Sequence, residues 1–285
     1  MTSVVIVQYG YPEQTRRAVE SLMLHSKGAV DVVVVDNGSP ERGGNQPGGE
    51  GERYRIIENI KNLGFGAANN IGARATHGDL ILFLNSDTIT HGEILPGIES
   101  YFAANPRCGA AGLRLLNSDG TLQNSTGKVP TVLSILNTRR REYVYSPPDP
   151  VRRDWVSGAA LVVRRTVFEQ VGGFDERYFM YFEDVDLCAR IRREGYEVHY
   201  IAGVSVEHLG GGSQAGGKSV VVEKEFRKSQ VLCYVRYSSA VDRVLLRVYL
   251  FMRFLPQLVL GGRDRREVAS YVLPIILRPA DERRH

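Results

Sequence analysis

The first third of the chain alternates short apolar runs with longer segments in which apolar residues recur at helical spacing. The runs predict strands at Ser3–Val7, Asp31–Val35 and Leu80–Leu84. The segments between them predict helices at Pro12–Leu24 and Ala67–Thr76. Nearly continuous apolar strands separated by helices are typical of parallel βαβ units whose sheet is covered on both faces. An α/β fold with a mostly parallel sheet is therefore predicted, with ligands bound at the carboxyl ends of its strands.

The second half of the chain predicts two further strands around a helix. Trp155–Arg164 has the apolar, β-branched composition of a strand. An amphipathic helix begins near Val185 and ends near Gly195, and a strand over Val198–Glu207 leads directly into His208. The histidine is thus predicted to stand at the end of a strand.

Two stretches lack a strand or helix pattern. Glu41–Arg53 is rich in glycine and polar residues and predicts a mobile hydrophilic loop without chemistry of its own. Hydrophobic periodicity is also lost over Gly127–Pro150, which predicts a surface excursion or a lid. Both stretches interrupt the α/β pattern rather than extend it.

The composition is that of an ordinary globular protein. Of the 285 residues, 43% are hydrophobic and 24% are charged, with a formal net charge of +4. These fractions exclude collagen, low-complexity sequence and extensive disorder. The three cysteines, Cys108, Cys188 and Cys233, are far apart and odd in number. They argue against a disulfide framework and a thiolate zinc site, so a reducing, cytoplasmic environment is predicted.

The positive charge is concentrated at the C-terminus, where Arg243–His285 contains nine arginines and four acidic residues. The apolar segment Val244–Leu260 is interrupted by Arg247, Arg253 and Pro256 and is too short to cross a bilayer of about 30 Å. An apolar helical face flanked by arginines would lie on an anionic membrane surface. A C-terminal helix that packs on its own domain, with its arginines in water, accounts for the pattern equally well.

Polar residues follow each of the three N-terminal strands. The three sets are Gln8-Tyr9, Asp36-Asn37-Gly38-Ser39 and Asn85-Ser86-Asp87. A flat ring could stack on Tyr9, a ring N–H could donate to Asp36, and a divalent cation could bind Asp87. This combination predicts a nucleotide-diphosphate site. Asp-Asn-Gly-Ser is also a turn sequence, so Asp36 taken alone predicts a turn as readily as a ligand contact.

A glycine-rich segment, Asn62–Gly72, lies between the second and third of these strands. Its Gly64-x-Gly66 pattern approaches the dinucleotide-binding fingerprint but lacks the third glycine and does not follow a first strand, so a dehydrogenase is disfavoured. A glycine-rich entry to a helix still lets backbone N–H groups approach a phosphate, with Asn69 and Asn70 as further donors.

An acidic and aromatic segment follows Gly172. Phe174–Phe182 contains five aromatic residues, and Glu183, Asp184 and Asp186 come directly after it. Acidic residues favour a first helical turn, so a well-started helix explains them. An aromatic wall would also partly desolvate a carboxylate and raise its pKa towards that of a useful general base.

His208 is predicted to face the same crevice from a strand end. A neutral imidazole there could complete the coordination of a cation held by Asp87. Isolated histidines are more often structural, so position alone favours a structural role.

A further segment, Gly212–Ser219, matches the phosphate-loop pattern G-x-x-x-x-G-K-[ST] and precedes a possible helix at Val220–Tyr237. It is the basis of the alternative hypothesis, a P-loop nucleotide hydrolase. No apolar strand ending in aspartate follows Ser219, and a glycine-rich segment produces the pattern easily. We interpret it as a flexible loop that closes over a diphosphate through Lys218.

Six motifs, in this order, resemble those of the family 2 inverting glycosyltransferases with the GT-A fold. They are Val-Gln-Tyr9, Val-Val-Asp-Asn-Gly-Ser39, Asn62-x-Gly64…Asn70-x-Gly72, Gly78-Asp79…Leu84-Asn-Ser-Asp87, Gly172-Gly-Phe-Asp175 and Tyr181-Phe-Glu-Asp-Val-Asp-Leu187. Within the family the chain is similar to bacterial rhamnosyltransferases that extend polyprenyl-linked glycans. The resemblance implies a GT-A domain at 1–240, with a nucleotide-binding half at 1–115 and an acceptor and catalytic half at 116–240. A basic amphipathic extension then occupies 241–285.

The resemblance also implies how the donor and a metal ion are bound. The base would stack on Tyr9, and Asp36 would hydrogen-bond the base or the ribose. Asn85 replaces the first aspartate of the family's D-x-D pattern, which leaves Asp87 to bind Mg²⁺ or Mn²⁺ with His208 as the last protein ligand. The donor-binding residues implied in this way are Tyr9, Asp36, Asn69, Asn70, Ser86 and Lys218.

Catalytic and acceptor residues follow from the same resemblance. Asp184 corresponds to the general base, with Glu183 as the second choice. Trp155, Gly158 and Asp186 correspond to the sugar or acceptor pocket. Asp184 would take the proton of an acceptor hydroxyl in a single displacement that inverts the anomeric configuration.

The implied function is transfer of a sugar, with L-rhamnose from dTDP-rhamnose as the leading hypothesis. The donor would be dTDP- or UDP-linked, the acceptor a glycan or a polyprenyl-diphosphate-linked sugar, and no nucleic-acid partner is expected. The implied location is the cytoplasm, with peripheral contact to the inner face of the cell membrane through residues 243–285. A non-catalytic binding module would have no use for both Asp87 and Asp184, so it ranks last.

Overall fold

The computed structural model describes residues 1–27, 30–40, 54–128, 151–210 and 219–277. The predicted loop Glu41–Arg53 lies outside these residues, as do most of Gly127–Pro150 and the segment Gly212–Lys218. The three cysteines are free and buried.

The elements follow the predicted order. The described strands are β1 (Thr2–Gln8), β2 (Asp31–Asp36), β3 (Arg55–Glu58), β4 (Leu80–Asn85), β5 (Thr88–Ile89), β6 (Cys108–Leu116), β7 (Thr126–Gly127), β8 (Val151–Arg152), β9 (Trp155–Val156), β10 (Ala160–Arg164) and β11 (Glu197–His208). The described helices are α1 (Pro12–Leu24), α2 (Phe65–Arg74), α3 (Leu95–Ala104), α4 (Arg165–Gln170), α5 (Glu183–Arg193), α6 (Val220–Tyr237), α7 (Ala240–Leu260) and α8 (Arg263–Leu277).

The main sheet has the strand order β3-β2-β1-β4-β10-β6-β11-β5, with β8 paired to β11. The first four strands of this order are parallel to one another, which confirms the predicted βαβ units. The register pairs Gln8 with Asp36 and Val7 with Asn85. The polar residues that follow three separate strands therefore reach the same edge of the sheet.

The remaining half of the sheet is mixed. β10 runs antiparallel between β4 and β6, whereas β6 and β11 are parallel. The prediction of one strand over Trp155–Arg164 is wrong, because the chain forms β9 and β10 with Ser157–Ala159 between them. β9 pairs with β7 in a separate two-stranded sheet, and Ser157 N–H donates to the Ser125 carbonyl at 2.7 Å instead of joining the main ladder.

Apolar side chains of the central strands alternate between two cores. Val4 and Ile6 belong to one cluster, and Val5 belongs to the cluster on the opposite face. Leu82 and Phe83 of β4 divide in the same way. Because both faces are covered, these strands contain continuous apolar runs rather than apolar residues at alternate positions.

Helix α2 begins at Phe65, two residues before the predicted start. Gly64 precedes it with φ +90°, a backbone conformation that other residues rarely adopt. A Cβ at Gly64 would collide with the carbonyl oxygen of Phe179, while Phe65 N–H donates to that same oxygen at 2.8 Å. Glycine at this position therefore permits the close approach that fixes the start of α2.

The chain forms two compact units. The first contains both sheets and α1–α5, and the second contains α6–α8 together with Met180–Phe182. The second unit has its own apolar core, which includes Tyr234, Leu250, Phe254 and Val272. None of the helices in the described part of the chain has the length and apolarity needed to span a bilayer.

Candidate functional site

The ends of β1 and β2 meet at a turn that Ser39 closes. Asp36 is buried, and its Oδ1 accepts hydrogen bonds from the Ser39 backbone N–H at 3.0 Å and from the Ser39 hydroxyl at 2.6 Å. The hydroxyl oxygen of Ser39 accepts in turn from Gly10 N–H at 2.9 Å. Asp36 thus takes the turn role that its sequence also predicted, and the neighbouring Tyr9 remains 48% exposed.

Asn37 connects this turn to the glycine-rich segment. Its Nδ2 donates to Asn62 Oδ1 at 2.9 Å and to the Gly64 carbonyl at 3.1 Å, while its Oδ1 accepts from Leu63 N–H at 3.0 Å. The amide is buried, so each of these bonds replaces one that water would otherwise make. The sequence reasoning missed Asn37, although a second polar residue directly after a buried strand was the available signal.

Asn69 and Asn70 are buried in α2 and use their side-chain amides within the protein. Asn69 Nδ2 donates to the Phe65 carbonyl at 3.0 Å. Asn70 donates to the Phe174 carbonyl at 2.9 Å and accepts from Phe174 N–H at 2.8 Å. The Asn69 amide therefore bonds within α2, and the Asn70 amide connects α2 to the start of the acidic segment. Their predicted contacts with ribose and diphosphate stay predictions.

Asp87 and His208 are brought together as predicted. The antiparallel pairing of β5 with the end of β11 sets His208 opposite Thr88, one residue from Asp87. His208 Nε2 lies 3.1 Å from Asp87 Oδ1 and 3.2 Å from the Nδ2 of Asn85. Both side chains are largely buried, and Ser86 is partly exposed between Asn85 and Asp87.

Gln123 determines which nitrogen of His208 carries a proton. The Nε2 of Gln123 donates to the His208 carbonyl at 3.2 Å and to Asn117 Oδ1 at 2.9 Å. Its Oε1 must then face the imidazole, where it lies 2.7 Å from His208 Nδ1. A carbonyl oxygen only accepts, so Nδ1 carries a proton, and in a neutral ring Nε2 is then the nitrogen with the lone pair.

This arrangement fits a bound cation. In the neutral tautomer, His208 Nε2 accepts from Asn85 Nδ2 at 3.2 Å and also lies 3.1 Å from a carboxylate oxygen of Asp87, and two acceptors at that distance repel unless a proton or a metal ion lies between them. An imidazole whose other nitrogen donates to a fixed acceptor is the usual form of a histidine ligand. Within the described ranges, no group of three or more histidine, cysteine, aspartate or glutamate side chains is placed to hold a metal ion.

Asp184 is held close to this pair through the turn between β9 and β10. Its Oδ2 accepts from Gly158 N–H at 3.0 Å, and its Oδ1 accepts from Val185 N–H at 2.8 Å. The carbonyl of the next residue in the turn, Ala159, accepts from Asn85 N–H at 2.9 Å. Gly158 therefore bonds to Asp184, and the next residue, Ala159, bonds to Asn85 at the end of β4, two residues before Asp87.

The surroundings of Asp184 favour its protonated form. Burial raises the pKa of the carboxyl, and the N–H groups of Gly158 and Val185 oppose part of that increase. The side chain is nevertheless only half-buried, so one side of it reaches the surface. A carboxylate of raised pKa that remains accessible has the properties of a general base.

Glu183 is more deeply buried than Asp184. Its side chain is 7% exposed, and Oε2 has no hydrogen-bond partner. Burial, and then the negative charge of Asp184, raise the pKa of Glu183 well above its ordinary range. Of the two candidates for the base, Asp184 is therefore the one with access to an acceptor.

Asp186 is paired with an arginine on its own helix. It is fully buried, and its Oδ2 accepts from Arg190 Nε at 2.7 Å, one helical turn further along α5. Arg190 also donates to the Val171 carbonyl at 2.6 Å. This geometry joins α5 to the loop before it, and the predicted contact of Asp186 with an acceptor stays a prediction.

Trp155 lies in the two-stranded sheet beside the site. Its indole Nε1 donates to the Lys128 carbonyl at 3.0 Å, and its ring covers Gly127, where a Cβ would meet the indole at 3.0 Å. Lys218 lies outside the described residues, so the structure provides no position for it. Ser219 is described and caps α6, accepting from Val222 N–H at 3.3 Å.

The fold is the GT-A fold. A solved structure with the same fold is GalNAc-T7 with UDP, GalNAc and Mn²⁺, which superposes with a TM-score of 0.64 at 15% sequence identity. That alignment covers 99% of this chain and 55% of GalNAc-T7. The α/β fold with a C-terminal helical extension is thereby confirmed.

The chain belongs to glycosyltransferase family 2. It matches the family model described as Glycosyl transferase family 2 over residues 3–172, which is more than half of its length. A second model, described as the N-terminal domain of galactosyltransferase, matches residues 149–209. The resemblance stated from the six motifs is confirmed.

Two curated relatives are rhamnosyltransferases. The N-acetylglucosaminyl-diphospho-decaprenol L-rhamnosyltransferase of Mycobacterium tuberculosis strain H37Rv is 32% identical over 232 residues, covering 72% of this chain and 75% of the relative. Rhamnosyltransferase WbbL of Escherichia coli strain K12 is 29% identical over 229 residues, covering 73% of this chain and 83% of the relative. The chain is thus similar to rhamnosyltransferases along most of its length.

Proposed function

We propose that this glycosyltransferase moves L-rhamnose from dTDP-rhamnose to a hydroxyl of a glycan or of a polyprenyl-diphosphate-linked sugar, with inversion at the anomeric carbon. The observation that carries the proposal is the turn Gly158-Ala159, which bonds to the Asp184 carboxylate on one side and to the strand end bearing Asp87 on the other. A general base and a candidate cation site are thereby fixed at the same edge of the sheet.

The choice of rhamnose and of a lipid-linked acceptor is supported by the relatives. Both relatives described above are named as rhamnosyltransferases, and one is named for a decaprenol-linked acceptor. The nucleotide would occupy the ends of β1 and β2, where Tyr9 offers an exposed ring and the Asp36 turn offers polar groups. Buried Asn37 keeps that turn in register with the start of α2.

Asp184 is the proposed base. Its half-buried carboxylate is held by two backbone N–H groups, which orient it, while burial raises its pKa. An acceptor hydroxyl within hydrogen-bond reach would transfer its proton to Asp184 as its oxygen attacks the anomeric carbon. The leaving group would be the nucleoside diphosphate.

Asp87 and His208 are the proposed protein ligands of Mg²⁺ or Mn²⁺. Bound there, the ion would neutralise charge that develops on the departing diphosphate. Gln123 keeps the His208 lone pair directed to Asp87, and Asn85 stands where the family's usual pattern has a further aspartate. With one carboxylate and one neutral imidazole as the proposed ligands from the protein, the ion would also need oxygen ligands from the donor or from water.

Thermal shift with nucleotides tests this site. We expect dTDP or UDP to raise the melting temperature in the presence of Mn²⁺, and to raise it much less without the ion, because a ligand that binds the native state stabilises it. Asp87→Asn is expected to remove the metal-dependent part of the shift. Asp264→Asn, an exposed aspartate at the start of α8, is the matched control and is expected to respond like the parent protein.

The alternative of a P-loop nucleotide hydrolase receives no support from the family match, which assigns the N-terminal strands and helices to a glycosyltransferase. Stabilisation by ATP or GTP alone in the same experiment would contradict the proposed donor site. Lys218→Ala separates the two functions, because a P-loop enzyme would lose nucleotide hydrolysis, whereas the proposed transferase would lose only the one contact that Lys218 makes with the diphosphate and would keep transfer activity.

A further inference from the structure

The outward face of α7 is apolar and exposed. Its buried face, Leu246, Leu250 and Phe254, packs in the core of the second unit. On the opposite side, large aliphatic side chains recur at intervals of three and four residues along the whole helix. We call these seven residues the α7 stripe: Val241, Val244, Leu245, Val248, Met252, Leu255 and Val259.

The exposure of the stripe is substantial. Met252 is 68% exposed, Val241 and Val259 are each 67% exposed, and Val248 is 54% exposed. A single exposed aliphatic residue needs no explanation, but a continuous row over five helical turns is unusual for a surface in water.

The polar residues of α7 lie on the packed half of the helix, which is not the arrangement expected for a helix whose other half faces only water. At 3.6 residues per turn, Arg247, Arg253 and Gln257 fall on the same half of the helix as Leu250. Asp242 and Arg243 fall on that half as well. A surface helix of a globular protein normally carries its polar residues outward. In α7 the outward half is the apolar one.

Positive charge lies next to the C-terminal end of the stripe, where Arg266 Nη2 donates to the Val259 carbonyl at 3.3 Å. Arg253 is exposed on α7, and Arg263, Arg265 and Arg266 are exposed in the first turn of α8. The acidic residues of this region are fewer, and one of them, Glu267, is paired with Lys224 at 2.7 Å. An apolar helical face with exposed arginines nearby is complementary to a partner that has an apolar interior and anionic groups at its boundary with water.

We propose that the α7 stripe docks on an anionic lipid surface, with α7 lying in the plane of the membrane. Aliphatic side chains would enter the boundary between headgroups and acyl chains, and the bordering arginines would contact anionic headgroups. The surface charge also argues against a second copy of this chain as the partner that covers the α7 stripe. Symmetric packing of two α7 stripes would bring the same arginines together, which is unfavourable.

Co-sedimentation of the full chain with vesicles tests the proposal. The vesicles contain phosphatidylcholine and phosphatidylglycerol in equal parts, or phosphatidylcholine alone. We expect binding to the mixed vesicles, weaker binding to the neutral ones, and a decrease in binding to the mixed vesicles at high salt. For the double variant Val248→Gln/Met252→Gln we expect binding to fall by about tenfold or more, because both side chains are at the centre of the stripe.

The matched control is Leu24→Gln/Ile60→Gln, which changes two comparably exposed aliphatic residues of the first unit. It is expected to bind like the parent chain. Equal binding by the stripe variant and the control, or no binding by the parent chain, would overturn the proposal. So would a parent chain that dimerises without lipid while the stripe variant stays monomeric. The assay contains no nucleotide or acceptor, so its result is independent of the proposed function.

Discussion

At the scale of single residues, the Asp184 carboxylate is held in place by hydrogen bonds and is still accessible from the surface. Two backbone N–H groups fix the carboxylate, burial raises its pKa, and the residue is still partly exposed. Asp184→Asn preserves the shape and removes the basic oxygen. We expect kcat to fall by about a hundredfold or more while dTDP binding stays within about twofold, because the base acts in the transition state.

Steady-state kinetics and calorimetry with dTDP check this expectation. The matched control is Asp154→Asn, a partly exposed aspartate that precedes β9. Loss of dTDP binding together with turnover would place Asp184 in the donor site instead. In the parent enzyme, turnover should also decline with falling pH at a higher pH than an ordinary aspartate would give, because Asp184 has to be ionised to act.

Glu183, next to the proposed base Asp184, is buried at a cost in stability. Its pKa in the folded state is raised, so its contribution to stability is fully present below the pKa of the unfolded state and is lost as the pH rises through the folded pKa. Glu183→Gln is neutral at every pH. The variant should therefore melt above the parent chain at about pH 8, with a difference that shrinks towards about pH 5. A variant that melts lower throughout would show that the ionised carboxylate is stabilising.

Gln123 is predicted to position His208 for a metal ion. Gln123→Leu removes the acceptor for His208 Nδ1, so the tautomer is no longer fixed, and we expect Mn²⁺ affinity in the presence of dTDP to fall by about ten- to a hundredfold. Gln123→Glu retains an acceptor and should restore most of the affinity. Electron paramagnetic resonance of free Mn²⁺ measures this directly, with Gln14→Leu on α1 as the control. Equal affinities for all variants would contradict the positioning role.

The types of residue at the strand ends could be predicted from the sequence, but the contacts of their side chains could not. The pattern after each strand predicted Tyr9, Asp36 and Asp87, because parallel strands deliver their last residues to the same edge. It could not predict that Asn70 is used internally by Phe174, since those residues are separated by more than a hundred positions. Gln123 lies outside any strand or helix and was missed for the same reason.

At the scale of elements, the start of α2 depends on Gly64. An alanine there would meet both the unfavourable φ of +90° and a collision with the Phe179 carbonyl. Gly120 separates the two effects, because its φ is +78° but a Cβ there would have no atom within 4 Å. Gly120→Ala should lower the free energy of unfolding by about 1 kcal/mol, and Gly64→Ala by about 3 kcal/mol or more. If chemical denaturation shows the same loss of unfolding free energy for both variants, the close approach to Phe179 makes no contribution to the effect of Gly64→Ala.

The order of elements was largely predictable, and the exceptions have physical causes. Continuous apolar runs identified β1, β2 and β4 because both faces of these strands are buried. The same criterion merged β9 and β10, since composition alone does not show where a strand leaves the ladder. The break occurs at Gly158, whose backbone N–H is used by Asp184 instead of by a neighbouring strand.

At the scale of the whole molecule, the chain divides into a sheet-containing unit and a helical unit with its own core. The sequence predicted a basic amphipathic extension from residue 241 and left open whether its apolar face packs or binds a membrane. α7 has apolar residues on both sides: one side packs in the core of the helical unit, and membrane contact by the other side stays a prediction. Periodicity alone could not assign them, because the packed side is chosen by contact with α8 and not by α7 itself.

The central claim is that one edge of the sheet carries out glycosyl transfer from a nucleotide diphosphate with Asp184 as base. The most direct measurement incubates the protein with dTDP-L-rhamnose, Mg²⁺ and a polyprenyl-diphosphate-linked N-acetylglucosamine, and follows the product by mass spectrometry and NMR. We predict one added rhamnose whose anomeric configuration is inverted relative to the donor, and no product with Asp184→Asn. A product of retained configuration, or undiminished transfer by Asp184→Asn, would contradict the account.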